Sequence, residues 1–262
     1  MEPAIKNKQS RLLWIKRALI APYFYCVDIF LRRKGYVFIS NKMRSKFYIP
    51  YVKTDFIQRY IFRKERYFEQ DNLDYICNEW NRGIVKNTIK DTVILDIGAN
   101  IGNHTLYYLN ECNAKKVICF EPVSDTYRIL YRNVEINNLS DKTVLINAAV
   151  GESDGSAILS SYDIQNTGMA TVEPSDNGPI RMISIDNYQL FDKIGLVKID
   201  VEGFELSVLK GMVNVLKKDK PFISIEIRDS IFDDVNHYLN ELGYKYEIIK
   251  KAPHYSDCLF YA

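Results

Sequence analysis

Residues 93–109 read VILDIGANIGNHTLYYL, and this stretch decides how the rest of the chain is interpreted. An apolar run ends at Asp96, two glycines follow, and a helical pattern begins after them. Because glycine has no Cβ, Gly98 and Gly102 allow the backbone to approach a ligand closely. The amides at the helix start face the same point and favour an anionic or carboxylate group. The stretch therefore predicts a buried strand, a tight turn and a helix that together bind a ligand.

Two further strand ends narrow the class of ligand. The spacing D-x-G-A-N-x-G, which includes Asn100, differs from the G-x-G-x-x-G of dinucleotide-binding turns. The next strand ends at Glu121, which is placed to accept hydrogen bonds from two ribose hydroxyls, each worth roughly 1.5–3 kcal/mol. The strand after it ends in NAAVG, from Asn147 onward, where small side chains such as Ala148 leave room for an adenine ring. Together these ends predict a nucleoside-containing cofactor, although Glu121 alone would also suit NAD.

The sequence around this unit alternates short apolar strands with amphipathic helices. The predicted strands are VILDI, KVICFEP, TVLINAAV, LVKIDV and FISIEI, and the predicted helices cover residues 104–110, 124–137, 205–216 and 231–242. The chain finishes with YKYEIIK and CLFYA, two strands joined by a loop. This alternation predicts a Rossmann-like α/β fold with a mostly parallel sheet and a C-terminal antiparallel hairpin.

The pattern also divides the chain. Residues 1–90 predict an N-terminal α+β extension with helices and a hairpin formed by YVFIS and FYIPYV. Residues 91–262 form the predicted cofactor-binding domain, with a β-hairpin insertion at about residues 152–190. We expect this insertion to lie above the carboxyl ends of the strands, where open α/β sheets bind ligands.

The start of the chain, RLLWIKRALIAPYFYCVDIFLRRKG, is apolar and aromatic but carries many basic residues. Its longest uncharged run, residues 18–27, is too short to span a bilayer. Two interpretations stay open. The segment packs on the domain or on a second subunit of a homo-oligomer, or it makes a peripheral contact with the inner face of an anionic membrane.

Composition excludes some classes of partner. Thirty-five basic and 33 acidic residues give a net charge of only +2, which argues against a nucleic-acid partner. The five cysteines show no C-x-x-C spacing, so neither a disulfide framework nor a zinc site is expected. A reducing cytoplasm is the expected location.

The motifs DIGANIGNHT, FEP, NAAVG, SIDNY, VKIDVEGFELSVLKG and PFISIEI resemble the FkbM family of methyltransferases over about residues 90–230. The pattern ERYFE, from Glu65 to Glu69, more weakly resembles the family's segment just before the cofactor domain. The mostly parallel sheet with a terminal hairpin is typical of class I methyltransferases. The resemblance implies S-adenosylmethionine as donor and O-methylation of a hydroxyl. Acceptors in the family are sugars of surface glycans, glycolipids or nucleotide-linked sugars, and secondary metabolites. The residues that match its cofactor motifs are Asp96, Gly98, Asn100, Gly102 and Glu121, with His104 in the same loop.

Methyl transfer to a hydroxyl needs a group that accepts the proton. Asp200 and Glu202 follow the fourth strand and Glu226 ends the next one, so we expect these catalytic candidates to converge. One carboxylate could act as the base directly. Alternatively, Asp200, Glu226 and Asp229 could hold Mg²⁺, which prefers oxygen ligands. From position alone, Asn166 and Glu205 are candidates for contact with the acceptor.

Three other functions agree less well with the sequence. An NAD-dependent oxidoreductase acting on a nucleotide sugar requires G-x-G-x-x-G, which the sequence lacks. A non-catalytic glycan-binding module is disfavoured because the cofactor positions are intact. An RNA methyltransferase is disfavoured by the near-neutral charge.

Overall fold

The computed structural model describes residues 26–27, 29–33, 35–163, 166–189 and 192–262, except the side chains of residues 162–163 and 166–167. The strands in chain order are β1 (Val37–Phe38), β2 (Phe47–Tyr48), β3 (Val93–Ile97), β4 (Lys116–Phe120), β5 (Thr143–Ile146), β6 (Ala149–Val150), β7 (Gly155–Asp163), β8 (Asn166–Pro174), β9 (Ile180–Ile183), β10 (Ile194–Ile199), β11 (Phe222–Arg228), β12 (Lys245–Lys251) and β13 (Tyr255–Tyr261). The α-helices are α1 (Phe56–Lys64), α2 (Gln70–Asp74), α3 (Ile84–Ile89), α4 (Asn103–Asn110), α5 (Ser124–Ile136), α6 (Glu205–Lys210), α7 (Val213–Asp219) and α8 (Phe232–Glu241).

The central sheet has seven strands in the order β12-β13-β11-β10-β3-β4-β5. Strands β11, β10, β3, β4 and β5 are parallel, and β13 runs antiparallel to both β11 and β12. All five residues of β3 are buried, as expected for a central strand covered on both faces. The predicted fold class, a Rossmann-like sheet that ends in an antiparallel hairpin, is confirmed.

Two predicted elements are each divided in the structure. TVLINAAV forms β5 and β6, because the chain leaves the central sheet after Ile146 and β6 pairs with β9 in a second sheet of order β6-β9-β7-β8. The predicted helix 205–216 forms α6 and α7, which Gly211 separates. A Cβ at Gly211 would lie 1.9 Å from the carbonyl oxygen of Gly151, so the two backbones pass too closely for any side chain there.

The described part of residues 1–90, which we call the N-terminal extension, packs against the rest of the chain. Strands β1 and β2 form the predicted antiparallel hairpin, and Asp55 caps α1 by accepting a hydrogen bond from the Gln58 amide at 2.8 Å. The buried Tyr67 hydroxyl donates to Glu111 at 2.9 Å, just beyond α4. Residues 75–79 form a π-helical turn that continues α2. Apolar side chains of the extension and of α4 and α5 form one continuous core.

Most of the basic, aromatic N-terminal stretch lies outside the described residues. In its described last turns, Leu31 is buried while Ile29 and Phe30 are exposed. No helix in the described part of the chain combines the length and apolar character that crossing a membrane requires.

Candidate functional site

A pocket of about 800 Å³ opens at the carboxyl ends of β3, β4 and β10. A concave, mostly apolar lining with a few polar groups is typical of sites for small molecules and cofactors. Its floor is the turn after β3, and its far wall includes Phe120, Glu121 and Ala148. The roof combines Ile57 and Phe68 of the extension with alternate small residues of β8, namely Gly168, Ala170 and Val172. We call this space the main pocket.

The glycine turn depends on a close approach of two strands. Gly98 has a φ of +75°, and a Cβ there would lie 1.9 Å from the carbonyl oxygen of Asp200. Asn100, at a φ of +50°, also adopts the left-handed conformation that asparagine tolerates better than most residues. The amides of Gly98 and Ala99 both donate to the Phe120 carbonyl at 3.0 Å, which fixes the turn against β4. The turn is therefore preformed by backbone contacts.

Glu121 lies at the edge of the main pocket and is only 6% exposed. Its two carboxylate oxygens accept hydrogen bonds from the amides of Asn100 and Val123, each at 2.9 Å. Burial raises the pKa of Glu121 to about 7, although both amides act in the opposite direction. Each oxygen retains a lone pair. This carboxylate is thus held in place and can still accept hydrogen bonds from a ligand's hydroxyls.

The predicted cofactor residues divide between the pocket wall and the layer behind it. Gly98, Asn100, His104, Glu121 and Ala148 line the main pocket. Asp96 is fully buried behind the wall, where its Oδ2 accepts from the Thr105 hydroxyl at 2.5 Å. Its Oδ1 has no hydrogen-bond partner among the described residues.

Gly102 and Asn147 support the wall from outside. A Cβ at Gly102 would lie 2.7 Å from the Leu130 side chain, so Gly102 allows α4 to pack on α5. The Asn147 amide nitrogen donates to the carbonyl oxygen of Glu121 at 2.7 Å and thereby ties the end of β5 to the end of β4.

A second, smaller space of about 380 Å³ adjoins the main pocket. His104, Lys198 and Asp200 line both spaces, so they mark the boundary between them. The remaining wall comes from three separate parts of the chain and includes Glu69, Asn72, Leu73, Ile76, Ser224, Glu226 and Asp257. We call this space the acidic chamber.

Of the predicted catalytic carboxylates, Asp200 and Glu226 line this chamber, and Glu202 lies just outside the lining with an oxygen within 4.8 Å of both. Asp200 lies at the boundary, with Oδ2 at 3.4 Å from the Lys198 ammonium. Glu226 lines the chamber and has neither a hydrogen bond nor an ion pair with any described side chain. Burial and the charges of neighbouring carboxylates raise the pKa of Glu226 to about 9. Glu202 is held by Arg228, whose guanidinium lies 2.7 Å away. Glu226 is therefore protonated at neutral pH, and Glu202 is already paired.

The predicted acceptor-binding residues lie elsewhere. Glu205 is 1% exposed at the start of α6, and its Oε1 accepts from the Gly203 amide at 2.7 Å. Its carboxylate thus supports the loop after β10. Asn166 begins β8, but its side chain lies outside the described part of the structure.

Sequence reasoning missed two charged residues. Lys198 is 5% exposed and lies opposite Asp96 in the register of β10 and β3. Its ammonium donates to the Gly98 carbonyl at 2.8 Å and lies 3.7 Å from Asp96 Oδ1. A lysine inside the apolar run LVKID was the available signal, since an unpaired buried lysine is rare. Glu69 gave no such signal, because only the packing of the extension against the rest of the chain brings it to the chamber.

The dipeptide Phe68-Glu69 joins the two spaces. Phe68 contributes to the roof of the main pocket, whereas Glu69 lines the acidic chamber. Both backbone groups of Phe68 are bound by one side chain, because its amide donates to Asn103 Oδ1 at 2.9 Å and its carbonyl accepts from Asn103 Nδ2 at 3.0 Å. Asn103 is the first residue of α4, so the extension is fixed directly to the glycine turn.

The predicted Mg²⁺ ligands do not form one site. Asp229 points to Lys251 at 2.5 Å instead of to Asp200 and Glu226. Two other triads have carboxylate oxygens within 4.8 Å of one another, Glu69–Glu226–Asp257 and Asp200–Glu202–Glu226. In each triad, two of the three carboxylates are already ion-paired, with Lys250 in the first and with Lys198 and Arg228 in the second. This donor chemistry fits fixed side-chain cations better than a divalent ion.

Comparison with known proteins places this geometry in a family. A model described as the methyltransferase FkbM domain matches residues 96–246. The hexuronic acid methyltransferase AglP of Haloferax volcanii is 31% identical over 174 residues, which are 64% of this chain and 70% of that protein. Methyltransferase 1 of Beauveria bassiana is 30% identical over 148 residues, 47% of this chain and 59% of that protein.

A solved structure shares the fold. The crystal structure of methyltransferase FkbM from Methylobacillus flagellatus superposes with a TM-score of 0.51 and 21% identity. The match covers 66% of this chain and 44% of that one.

Proposed function

Because the chain belongs to the FkbM methyltransferase family, we propose that it transfers the methyl group of S-adenosylmethionine to a hydroxyl of a sugar. The sugar would be part of a glycan or glycolipid, or be linked to a nucleotide. The proposal depends on one observation: two pockets with different chemistry adjoin each other. The main pocket suits a nucleoside, and the acidic chamber that adjoins it is lined with groups that bind hydroxyls.

The main pocket fits the proposed cofactor in three respects. Glu121 is preorganised to accept hydrogen bonds from ribose hydroxyls. Ala148 and the small residues of β8 leave a flat apolar slot for an adenine ring. Gly98 leaves room for the Asp200 carbonyl, so the turn that would meet the methionine part stays close against the end of β10. His104 and Asn100 complete this wall, while Asp96, Gly102 and Asn147 support it.

The cofactor, when bound, supplies a methyl group that is already activated by a sulfonium. The protein's task is therefore to align the acceptor oxygen with that methyl and to receive the hydroxyl proton. Asp200 lies where the two spaces meet, so it is placed to orient the acceptor hydroxyl. Lys198 fixes Asp200 and the glycine turn together, so the two binding sites share one rigid boundary.

A sugar acceptor is supported by the relative that methylates hexuronic acid. The chamber offers carboxylate and amide groups, among them Asn72 and Asp257, which suit an acceptor with several hydroxyls.

We also infer a reducing cytoplasmic location, because the cysteines that the structure describes are all free thiols.

Ligand-dependent thermal stability tests the cofactor. S-adenosylmethionine or S-adenosylhomocysteine at a hundred times its Kd should stabilise the protein by about 2.7 kcal/mol, and NAD should not. Transfer is then measured with S-adenosylmethionine and a panel of p-nitrophenyl hexosides and hexuronides. Stabilisation by NAD alone would contradict the proposal. Transfer only to acceptors that lack a sugar would replace the proposed acceptor with a secondary metabolite.

A further inference from the structure

The N-terminal extension contributes a carboxylate to the acidic chamber. Glu69 precedes α2 and lines the chamber wall. Its backbone has a φ of +57°, a conformation that costs a non-glycine residue roughly 1–2 kcal/mol. The preceding residue, Phe68, donates one hydrogen bond to the Asn103 side chain and accepts one from it, and this pair holds the chain there. The extension is therefore fixed in a strained conformation that directs this side chain into the chamber.

The Glu69 carboxylate is oriented but not hydrogen-bonded. Its Oε2 lies 3.8 Å from His104 Nε2, and its Oε1 lies 3.6 Å from the Lys250 ammonium. Both distances are too long for hydrogen bonds. Within the described part of the chain, no backbone or side-chain group donates to either oxygen. At 17% exposure, this carboxylate retains lone pairs for a ligand inside a largely enclosed space.

The other carboxylates of the chamber are less suited to receive a proton. Asp257 accepts a hydrogen bond from the Asn72 amide at 2.8 Å. Glu202, outside the lining, is paired with Arg228, and Asp200 lies 3.4 Å from the buried Lys198 ammonium, whereas the ammonium 3.6 Å from Glu69 belongs to the half-exposed Lys250. Glu226 carries its own proton at neutral pH, since its pKa is raised to about 9. Glu69 combines free lone pairs with a pKa near neutrality, because burial and the charges of Asp257 and Asp200 raise its pKa to about 7.

We propose that Glu69 is the general base of the methyl transfer. This inference rests on the proposed function. As the bond between the acceptor oxygen and the methyl carbon forms and the bond from that carbon to sulfur breaks, the hydroxyl proton passes to a carboxylate oxygen of Glu69. The sulfonium becomes a neutral thioether, and Glu69 becomes a neutral acid, so charge and protons balance.

His104 and Lys250 act as positioning residues for Glu69. His104 lines both the main pocket and the acidic chamber, so it places Glu69 next to the boundary that the methyl group crosses. Burial and the charge of Lys198 lower the pKa of His104 well below its usual range, so the ring stays neutral. Lys250 stabilises the ionised form of Glu69. The charged and titratable groups that interact electrostatically with Glu69 are His104, Tyr108, Lys198, Asp200, Glu226, Lys250, Tyr255 and Asp257.

The test compares Glu69→Gln with Glu65→Gln. Glu65 is a matched control, because it lies in the same extension at a φ of +52° but pairs with Ser40 and Lys42 away from both pockets. With the best p-nitrophenyl glycoside of the panel, Glu69→Gln should lower kcat about 10²–10⁴-fold, the usual contribution of a general base. The thermal shift with S-adenosylmethionine should persist in both variants. Glu65→Gln should retain the wild-type kcat.

The pH profile separates a base from a structural residue. A base acts only when ionised, so wild-type kcat should fall as the pH drops below about 7, the pKa of Glu69. The profile is measured with S-adenosylmethionine and acceptor saturating, because Glu121 has a similar pKa and would affect cofactor binding. Glu69→Gln should lose this limb, and Glu69→Asp should restore part of kcat. If the wild type transfers methyl groups and Glu69→Gln has an unchanged kcat, or only a raised KM, the role of Glu69 is refuted and the proposed function stands. A wild-type protein that neither responds to S-adenosylmethionine nor transfers methyl groups overturns the proposed function itself.

Discussion

The main pocket and the acidic chamber adjoin each other but are built in different ways. The main pocket is formed by the glycine turn and a mostly apolar wall, with one carboxylate held by an amide of that turn and an amide of its own loop. The chamber is formed by charged side chains brought together from the extension, from β10 and β11, and from the terminal hairpin. A preformed backbone cradle suits one ligand shared by many relatives. A chamber of side chains can change its chemistry with each substitution.

We expect the largest effect, a loss of free energy of unfolding, from substitution of Lys198, which lines both spaces. Lys198→Met removes the cation between Asp96 and Asp200, both of which would lose their charged partner. Breaking a buried ion pair of this kind typically lowers the free energy of unfolding by about 3–5 kcal/mol. Urea denaturation measures this loss. Lys115→Met is the control, because its ion pair with Asp192 is half-exposed and should contribute less than about 1 kcal/mol. Equal losses in both variants would mean that Lys198 does not join the two spaces.

A smaller, selective effect is expected within the main pocket. Glu121→Ala removes the acceptor of the ribose hydroxyls, and each charged hydrogen bond is worth about 1.5–3 kcal/mol, so affinity for S-adenosylmethionine should fall about 10²-fold. Isothermal titration calorimetry measures the Kd. The exposed Glu135→Ala, on α5, should bind like the wild type. An unchanged Kd in Glu121→Ala would remove the ribose role and with it the contrast between the two spaces.

The smallest effect is expected from metal removal. Side-chain cations already pair two carboxylates in each triad of the acidic chamber, so EDTA should leave the rate of methyl transfer unchanged. The assay is the same transfer reaction before and after dialysis against the chelator. Loss of activity that Mg²⁺ restores would show that the chamber binds an ion in addition to its lysines.

The difference between the main pocket and the acidic chamber also explains which parts of the structure could be predicted from the sequence. The main pocket follows from residues 93–121, because glycine spacing and strand ends are local signals that survive folding unchanged. The parallel sheet and its terminal hairpin follow from periodicity for the same reason. Gly102 and Asn147 belong to the correct motifs, but packing places them behind the wall and not in it.

The acidic chamber could be predicted only in part. Asp200 and Glu226 were predicted to converge because neighbouring parallel strands end at the same edge. Their third partner was wrongly predicted as Asp229, which follows β11 but turns away to Lys251. Glu69 and Asp257 approach each other only through tertiary packing of the extension against β13. No local pattern records a contact between such distant parts of a chain.

The attachment of Phe68-Glu69 to Asn103 has a consequence for the order of events in a catalytic cycle. One dipeptide touches both the space for the cofactor and the space for the acceptor. If binding of one ligand displaces this dipeptide, the binding site of the other ligand changes as well. Thermodynamic linkage then requires that each ligand change the affinity of its neighbour by the same factor. We therefore expect cooperative, ordered loading, with the first ligand completing the binding surface of the second.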